Sequence, residues 1–133
     1  MVTSRGHHCC IVLKDKDQRK VVLVVGGYNG NYLKTTELFD IASQKWSPGP
    51  DMSTGTFGSA LVGASPYSRH AAFLVGGAQN NGASSKILAI NQDLNEWEEL
   101  VGSFNVVRSS HAAVQLTKNM VDQCLENTGG GLP

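Results

Sequence analysis

The chain is short of cysteine, of charge bias and of long apolar runs, and each shortage removes a class of function. Three cysteines, Cys9, Cys10 and Cys124, leave one over however they pair. They do not make a disulfide framework, and free thiols point to a reducing compartment. Eleven Lys and Arg balance eleven Asp and Glu, with no like-charge block. Nucleic acid and membrane surfaces usually recruit a basic patch, so neither is expected as a partner. No apolar stretch approaches the ~20 residues that cross a bilayer. Residues Met1 to His8 lack the apolar core of a signal peptide, and a cytoplasmic location is the expectation. Helical periodicity is missing too: the apolar runs are short, β-branched and bounded by turns. Yet at 41% hydrophobic and 17% charged the 133 residues are too apolar to stay disordered.

What the chain has is an internal repeat. The apolar run Val21-Val22-Leu23-Val24-Val25 ends in Gly26-Gly27, and Ala71-Ala72-Phe73-Leu74-Val75 ends in Gly76-Gly77, 50 residues later. The two tryptophans, Trp46 and Trp97, lie 51 residues apart. A strand-like stretch precedes each glycine pair, His8 to Leu13 and Phe57 to Val62, and a third copy reads His111 to Leu116. Arg5 stands three before His8 and Arg108 three before His111; the same offset in the middle copy gives Thr54 and Phe57. Another apolar stretch lies between each glycine pair and its tryptophan, Thr36 to Asp40 and Ile87 to Asn91. Short segments after each tryptophan, Ser47 to Met52 and Glu98 to Val101, complete about four short strands per period. Asn29-Gly30 and Asn81-Gly82 supply the positive φ that tight reversals demand. Self-similarity at a fixed long period signals a repeat architecture.

These residues resemble kelch repeats, which recur at about 50 residues in β-propellers. The first copy carries Gly26-Gly27, Glu37, Phe39, Asp40 and Trp46; the second keeps Gly76-Gly77 and Trp97 but has Ala89, Ile90 and Asn91 where Glu, an aromatic and Asp are usual. The resemblance implies an all-β fold, a partial kelch-type β-propeller of four-stranded antiparallel blades. It places kelch repeats over 1–120 (about 5–53, 54–107 and an incomplete 108–120) and leaves 121–133 as an unpaired, disordered tail. A ring needs about four to eight blades. Self-association or completion by further blades is therefore expected, as a fragment, a truncated isoform or a protomer of a ring.

The resemblance also implies function. Kelch propellers usually bind a peptide or protein through loops at one rim, often through the Arg near a blade's start and the aromatic after Gly-Gly. Those positions are Arg5, Arg108 and Tyr28, with Asn29, Asn31 and Asn80 on the same class of loop. An Arg pair favours an acidic peptide, because guanidinium binds carboxylate bidentately. The competing reading makes Arg5 and Arg108 structural ion pairs. In a longer parent chain the module would recruit substrates to a ubiquitin ligase; the alternative is a truncated regulatory or non-productive isoform. No cofactor is expected. His7-His8-Cys9-Cys10 is read as strand packing rather than a metal site, since neighbours in a strand point to opposite faces. No G-x-S-x-G elbow occurs and the glycines open no helix, which speaks against hydrolytic and phosphate-binding readings. An oxidase-type propeller enzyme is the distant alternative.

Overall fold

The computed structural model describes residues 1–115, and among them the chain is all strand and turn. The first sheet holds β1 (Cys9–Lys14), β2 (Lys20–Val25), β3 (Thr36–Asp40) and β4 (Lys45–Pro48), antiparallel and in chain order. The second holds β5 (Ala60–Gly63), β6 (His70–Val75), β8 (Gly82–Asn91) and β9 (Trp97–Arg108), with the two-residue β7 (Ala78–Gln79) pairing the start of β8. The meander follows from the sequence. Apolar runs of four to six residues are separated by turns in which Asp15 and Asp40 side chains accept backbone N–H bonds two to four residues on. Such Asx bonds stop the strand and reverse it.

The two sheets pack face to face. Val21, Leu23 and Val25 of β2, with Ile11, Leu13 and Leu38, meet Ala72, Leu74, Leu88 and Ile90, with Leu61 and Trp97, in one core. Leu23 and Ile90 are fully buried. β2 reads as an unbroken apolar run because one face enters this core while Val24, on the other, is also covered.

The fourth strands begin earlier than the sequence reading has them, with the tryptophans inside. Trp46 pairs with Phe39 across β3 and β4, their rings 4.9 Å apart, and Trp97 pairs with Ile90. Cross-strand pairing of large side chains stabilises the sheet at that register. Trp97 packs on the core between blades, and Trp46 lies against Phe39 in its own blade.

The glycine pairs join one blade to the next. Gly27 donates its N–H to the Thr56 carbonyl at 2.8 Å, and Gly77 donates to the Arg108 carbonyl at 2.8 Å. A Cβ on Gly26 would stand 2.5 Å from the Thr56 carbonyl oxygen, and one on Gly76 would stand 2.6 Å from that of Arg108. Both glycines also have positive φ, +61° and +63°.

This geometry corrects the register of the middle copy. His7, Gly58 and Ser110 share left-handed φ values of 51°, 63° and 53°. They form a ladder in which Gly58 N–H donates to His7 and Ser110 N–H donates to Gly58. Arg5 therefore corresponds to Thr56 and Arg108, and His8 to Ser59 and His111. Thr54 and Phe57, assigned from the sequence, each fall two residues short of these positions. The third copy is present as a lead-in, Arg108 to His111, seated on Gly76-Gly77. Its expected strand is not formed through Gln115, and the rest of it, with the tail at 121–133, lies outside the described residues.

Candidate protein-binding rim

Antiparallel pairing sends both glycine pairs, the loops after them and the lead-ins of both following blades to the same end of the sheets. The loop after Gly27 doubles back: Tyr28 bridges Gly6 on one side and Tyr32 on the other. Phe57 and Ala78 exchange both backbone bonds, at 3.1 and 2.8 Å, the counterpart of the Gly6–Tyr28 exchange in the first blade. Loops from two blades thus meet, and four rings gather there. Tyr28 lies 5.6 Å from Tyr32 and 5.7 Å from Phe57, Tyr32 lies 5.4 Å from Phe57, and His7 lies 5.8 Å from Phe57. Such spacing is typical of edge-to-face and tilted aromatic packing. Tyr28 remains 41% exposed.

The expected site residues divide. Tyr28, Asn29 and Asn31 share one exposed loop, and Asn80 is exposed on its counterpart in the second blade. Gly30 and Gly82, with φ of +101° and +113°, have open space where a Cβ would project, so the loop tips are unobstructed. Arg108 is exposed in side chain, engaged in an interaction of its own, and gives its carbonyl to Gly77.

Arg5 lies beneath the surface. Its side chain is 0% exposed and forms an ion pair with Glu37 at 2.7 Å. It also donates to the Gly26 and Thr35 carbonyls at 2.8 and 2.9 Å. That is the structural ion pair of the competing reading, and an Arg5–Arg108 surface pair does not form. In the second blade smaller groups replace the guanidinium. There Ser59 Oγ lies 3.1 Å from the Gly76 carbonyl, and Thr56 Oγ1 donates to Ala78. Burial alone would push the Glu37 carboxyl up, but the amides of Val2 and Thr3, together with Arg5, outweigh it and hold it below the usual glutamate range.

Sequence reasoning missed Tyr32, Phe57 and His7. Phe57 was hidden by the two-residue register error. Tyr32 carried a usable signal, an aromatic four residues after Tyr28 in a Gly/Asn loop. At the opposite end of the sheets, His70 is buried against Glu98, whose carboxyl it pulls down with help from Arg69. Among the described residues no nucleophile joins them in a hydrogen-bonded chain: Ser68 Oγ accepts from the His70 backbone instead. Among the described residues no three His, Cys, Asp or Glu side chains converge as metal ligands. No helix among them is long and apolar enough to cross a membrane.

Comparison with known proteins agrees with this build. Curated proteins give no significant match to the chain. The family model of the Kelch motif matches residues 19–53, from the end of the first turn through β2, β3 and β4 to the loop beyond Trp46. Residues 19–53 thus match a kelch motif, within a chain of antiparallel four-stranded blades joined through their glycine pairs.

Proposed function

We propose that the chain is a protein-interaction module whose contact surface is the glycine-pair rim. The observation that carries the reading is the four-ring cluster of Tyr28, Tyr32, Phe57 and His7, built by loops of two blades and edged by exposed Asn29, Asn31 and Asn80. Half-exposed tyrosine backed by other rings is a rigid anchor: it offers apolar area and a phenol hydrogen bond at little entropic cost. The amide side chains around it suit the backbone of an extended or turn-forming peptide. With Arg5 internal, attraction for an acidic peptide rests on Arg108. The ubiquitin-ligase role expected of a longer parent chain belongs to the same reading, with the rim holding the substrate segment.

The test is peptide selection from a displayed library against the immobilised chain, followed by rim variants. Tyr28→Ala should weaken selected peptides by about tenfold or more, as a hot-spot truncation does. Arg108→Ala should weaken acidic peptides alone. Selected peptides that bind the Tyr28→Ala chain with undiminished affinity would place the contact surface elsewhere.

A further inference from the structure

At the end of the sheets away from the rim, the first hairpin leaves basic groups uncovered. Its turn reads Lys14-Asp15-Lys16-Asp17-Gln18-Arg19-Lys20. The acids are taken up within the fold. Asp15 accepts from the backbone N–H groups of Asp17 and Arg19 and pairs with the Arg19 guanidinium at 2.8 Å. The same guanidinium lies 3.4 Å from Asp17 and 3.7 Å from Asp40. Lys14, Lys16 and Lys20 are exposed, and among the described residues none of their ammonium groups has an ion pair or hydrogen bond. Lys14 and Lys20 stand directly opposite each other where β1 pairs with β2. Like charges in that position destabilise a strand pair. Among the described residues no carboxylate pairs with either ammonium to offset the cost.

The same three lysines line a groove of about 760 Å³ between the blades. The second blade contributes Ala64, Ser65 and Pro66 from the β5–β6 turn, and Gln92 and Asp93 from the β8–β9 turn. Val12, 58% exposed, adds apolar surface from the first blade. Tyr67, next to Pro66 in the chain, is fully exposed. Two carboxylates line the groove. Asp15 is neutralised by Arg19, and Asp93 has no ion pair among the described residues. The uncompensated charge is therefore three ammonium groups against one carboxylate. We propose that this groove docks an acidic, extended segment of a partner protein, a second contact apart from the rim. Carboxylates of such a segment would relieve the Lys14–Lys20 repulsion that the hairpin cannot relieve itself, and complementary charge of this kind selects the partner.

The lining favours a peptide over other polyanions. Sites for single-stranded nucleic acid pair a basic groove with rings on which bases stack. The apolar part of this lining is aliphatic: Val12, Ala64, Pro66 and Ala71. Segments that hold anionic bilayers cluster about four to eight Lys and Arg, whereas Asp15 and Asp17 interrupt the lysines here. An extended peptide sends successive side chains to opposite sides. Acidic residues alternating with apolar ones can thus meet the ammonium groups and the aliphatic surface together.

Fluorescence anisotropy of a short labelled peptide alternating Glu and Val tests the proposal, with the same peptide carrying Lys for Glu as control. The Glu peptide should bind saturably and more weakly as salt is raised, and the Lys peptide should not bind. Lys14→Gln, Lys16→Gln and Lys20→Gln together should weaken the Glu peptide by about tenfold or more, since each exposed charge pair adds up to a few-fold; far-UV circular dichroism checks that the fold is kept. Asp93→Asn should tighten binding by about twofold. Lys34→Gln, whose ammonium pairs with Asp51 at 3.2 Å outside the groove, and Tyr28→Ala, on the rim, should leave it as it is. No binding of the Glu peptide, binding that survives the triple variant, or binding that Tyr28→Ala abolishes overturns the proposal. So does tighter binding of phosphatidylserine vesicles or polyuridylate than of the peptide. Peptides selected at the rim should be untouched by the lysine variants, so the two readings fail separately.

Discussion

Replacing Arg5 by Met is the sharpest perturbation of the first blade. The guanidinium is fully enclosed and holds four acceptors: Glu37 at 2.7 Å, the Gly26 carbonyl at 2.8 Å, the Thr35 carbonyl at 2.9 Å and the Thr35 hydroxyl at 3.3 Å. Methionine fills much of the volume and satisfies none of them. Glu37, 7% exposed in side chain, keeps only the Val2 and Thr3 amides. Removing one partner of a buried ion pair costs about 3–5 kcal/mol, because the other charge stays buried without compensation. That is a large part of the roughly 5–15 kcal/mol that holds a domain together. The second blade shows how to remove the pair altogether. It has Thr56 where the first has Arg5, and Leu88, one residue before the Ala89 that the sequence reading puts there, where the first has Glu37. The double variant Arg5→Thr with Glu37→Leu should recover most of the loss, since exchanging a whole buried pair for fitting neutral residues is often neutral or better. Among the described residues Arg5 Nε has no partner, so the native pair is itself imperfectly satisfied. Urea unfolding followed by circular dichroism gives both numbers. A loss below about 1 kcal/mol for Arg5→Met, in the range of an exposed pair, would refute the argument; so would a double variant as unstable as the single one.

Three further outcomes follow from the same geometry. The Glu37 carboxyl is held below its ordinary value of 4.5, so its contribution is fully present above that pH and is lost as pH falls through the lower folded value; the stability of Glu37→Leu, read by urea unfolding at a series of pH values, should fall less over that range than that of the wild type. Gly76→Ala should destabilise the chain by several kcal/mol in chemical denaturation, because its φ is +63° and the new Cβ would stand 2.6 Å from the Arg108 carbonyl oxygen; stability within about 0.5 kcal/mol of wild type, the size of an ordinary surface change, would show that the third lead-in does not sit there. Burial, with the neighbouring Cys10 adding to it, pushes the Cys9 thiol up to about 12, while Cys10 is exposed, so alkylation at pH 8 followed by peptide mass mapping should modify Cys10 well before Cys9.

The fold was legible because its strongest constraints are local. A run such as Val21 to Val25 has few options but a doubly covered strand, and a glycine pair directly after it marks a place where two chains approach too closely for a Cβ. Pairing of Phe39 with Trp46 was within reach for the same reason: the six residues between them are a turn and two short strand ends. What counting could not give was the position of the middle lead-in. Constant spacing leaves it open, because the 50-residue step of the glycine pairs puts the counterpart of Arg5 at position 55 and the 51-residue step of the tryptophans puts it at 56. Only the shared backbone conformation of His7, Gly58 and Ser110 fixes the correspondence.

The rim was half legible for a related reason. Solvent-facing Asn and Tyr after a glycine pair announce themselves, because nothing in a strand or a core requires them there. An arginine does not announce whether it faces a partner or its own blade. Its spacing is the same in both cases, and the answer lies in which acceptors the fold leaves open. Around Arg5 the fold leaves Gly26 and Thr35 carbonyls and a carboxylate at Glu37, all within reach of one guanidinium. In the second blade the corresponding Gly76 carbonyl lies within hydrogen-bonding distance of Ser59, and a leucine, Leu88, stands where the carboxylate would be. An arginine at position 56 would find no counter-ion there, and threonine suffices. The departure of the middle repeat from the arginine pattern therefore follows from the interior of the blade, where Ser59 meets the Gly76 carbonyl and Thr56 donates to Ala78.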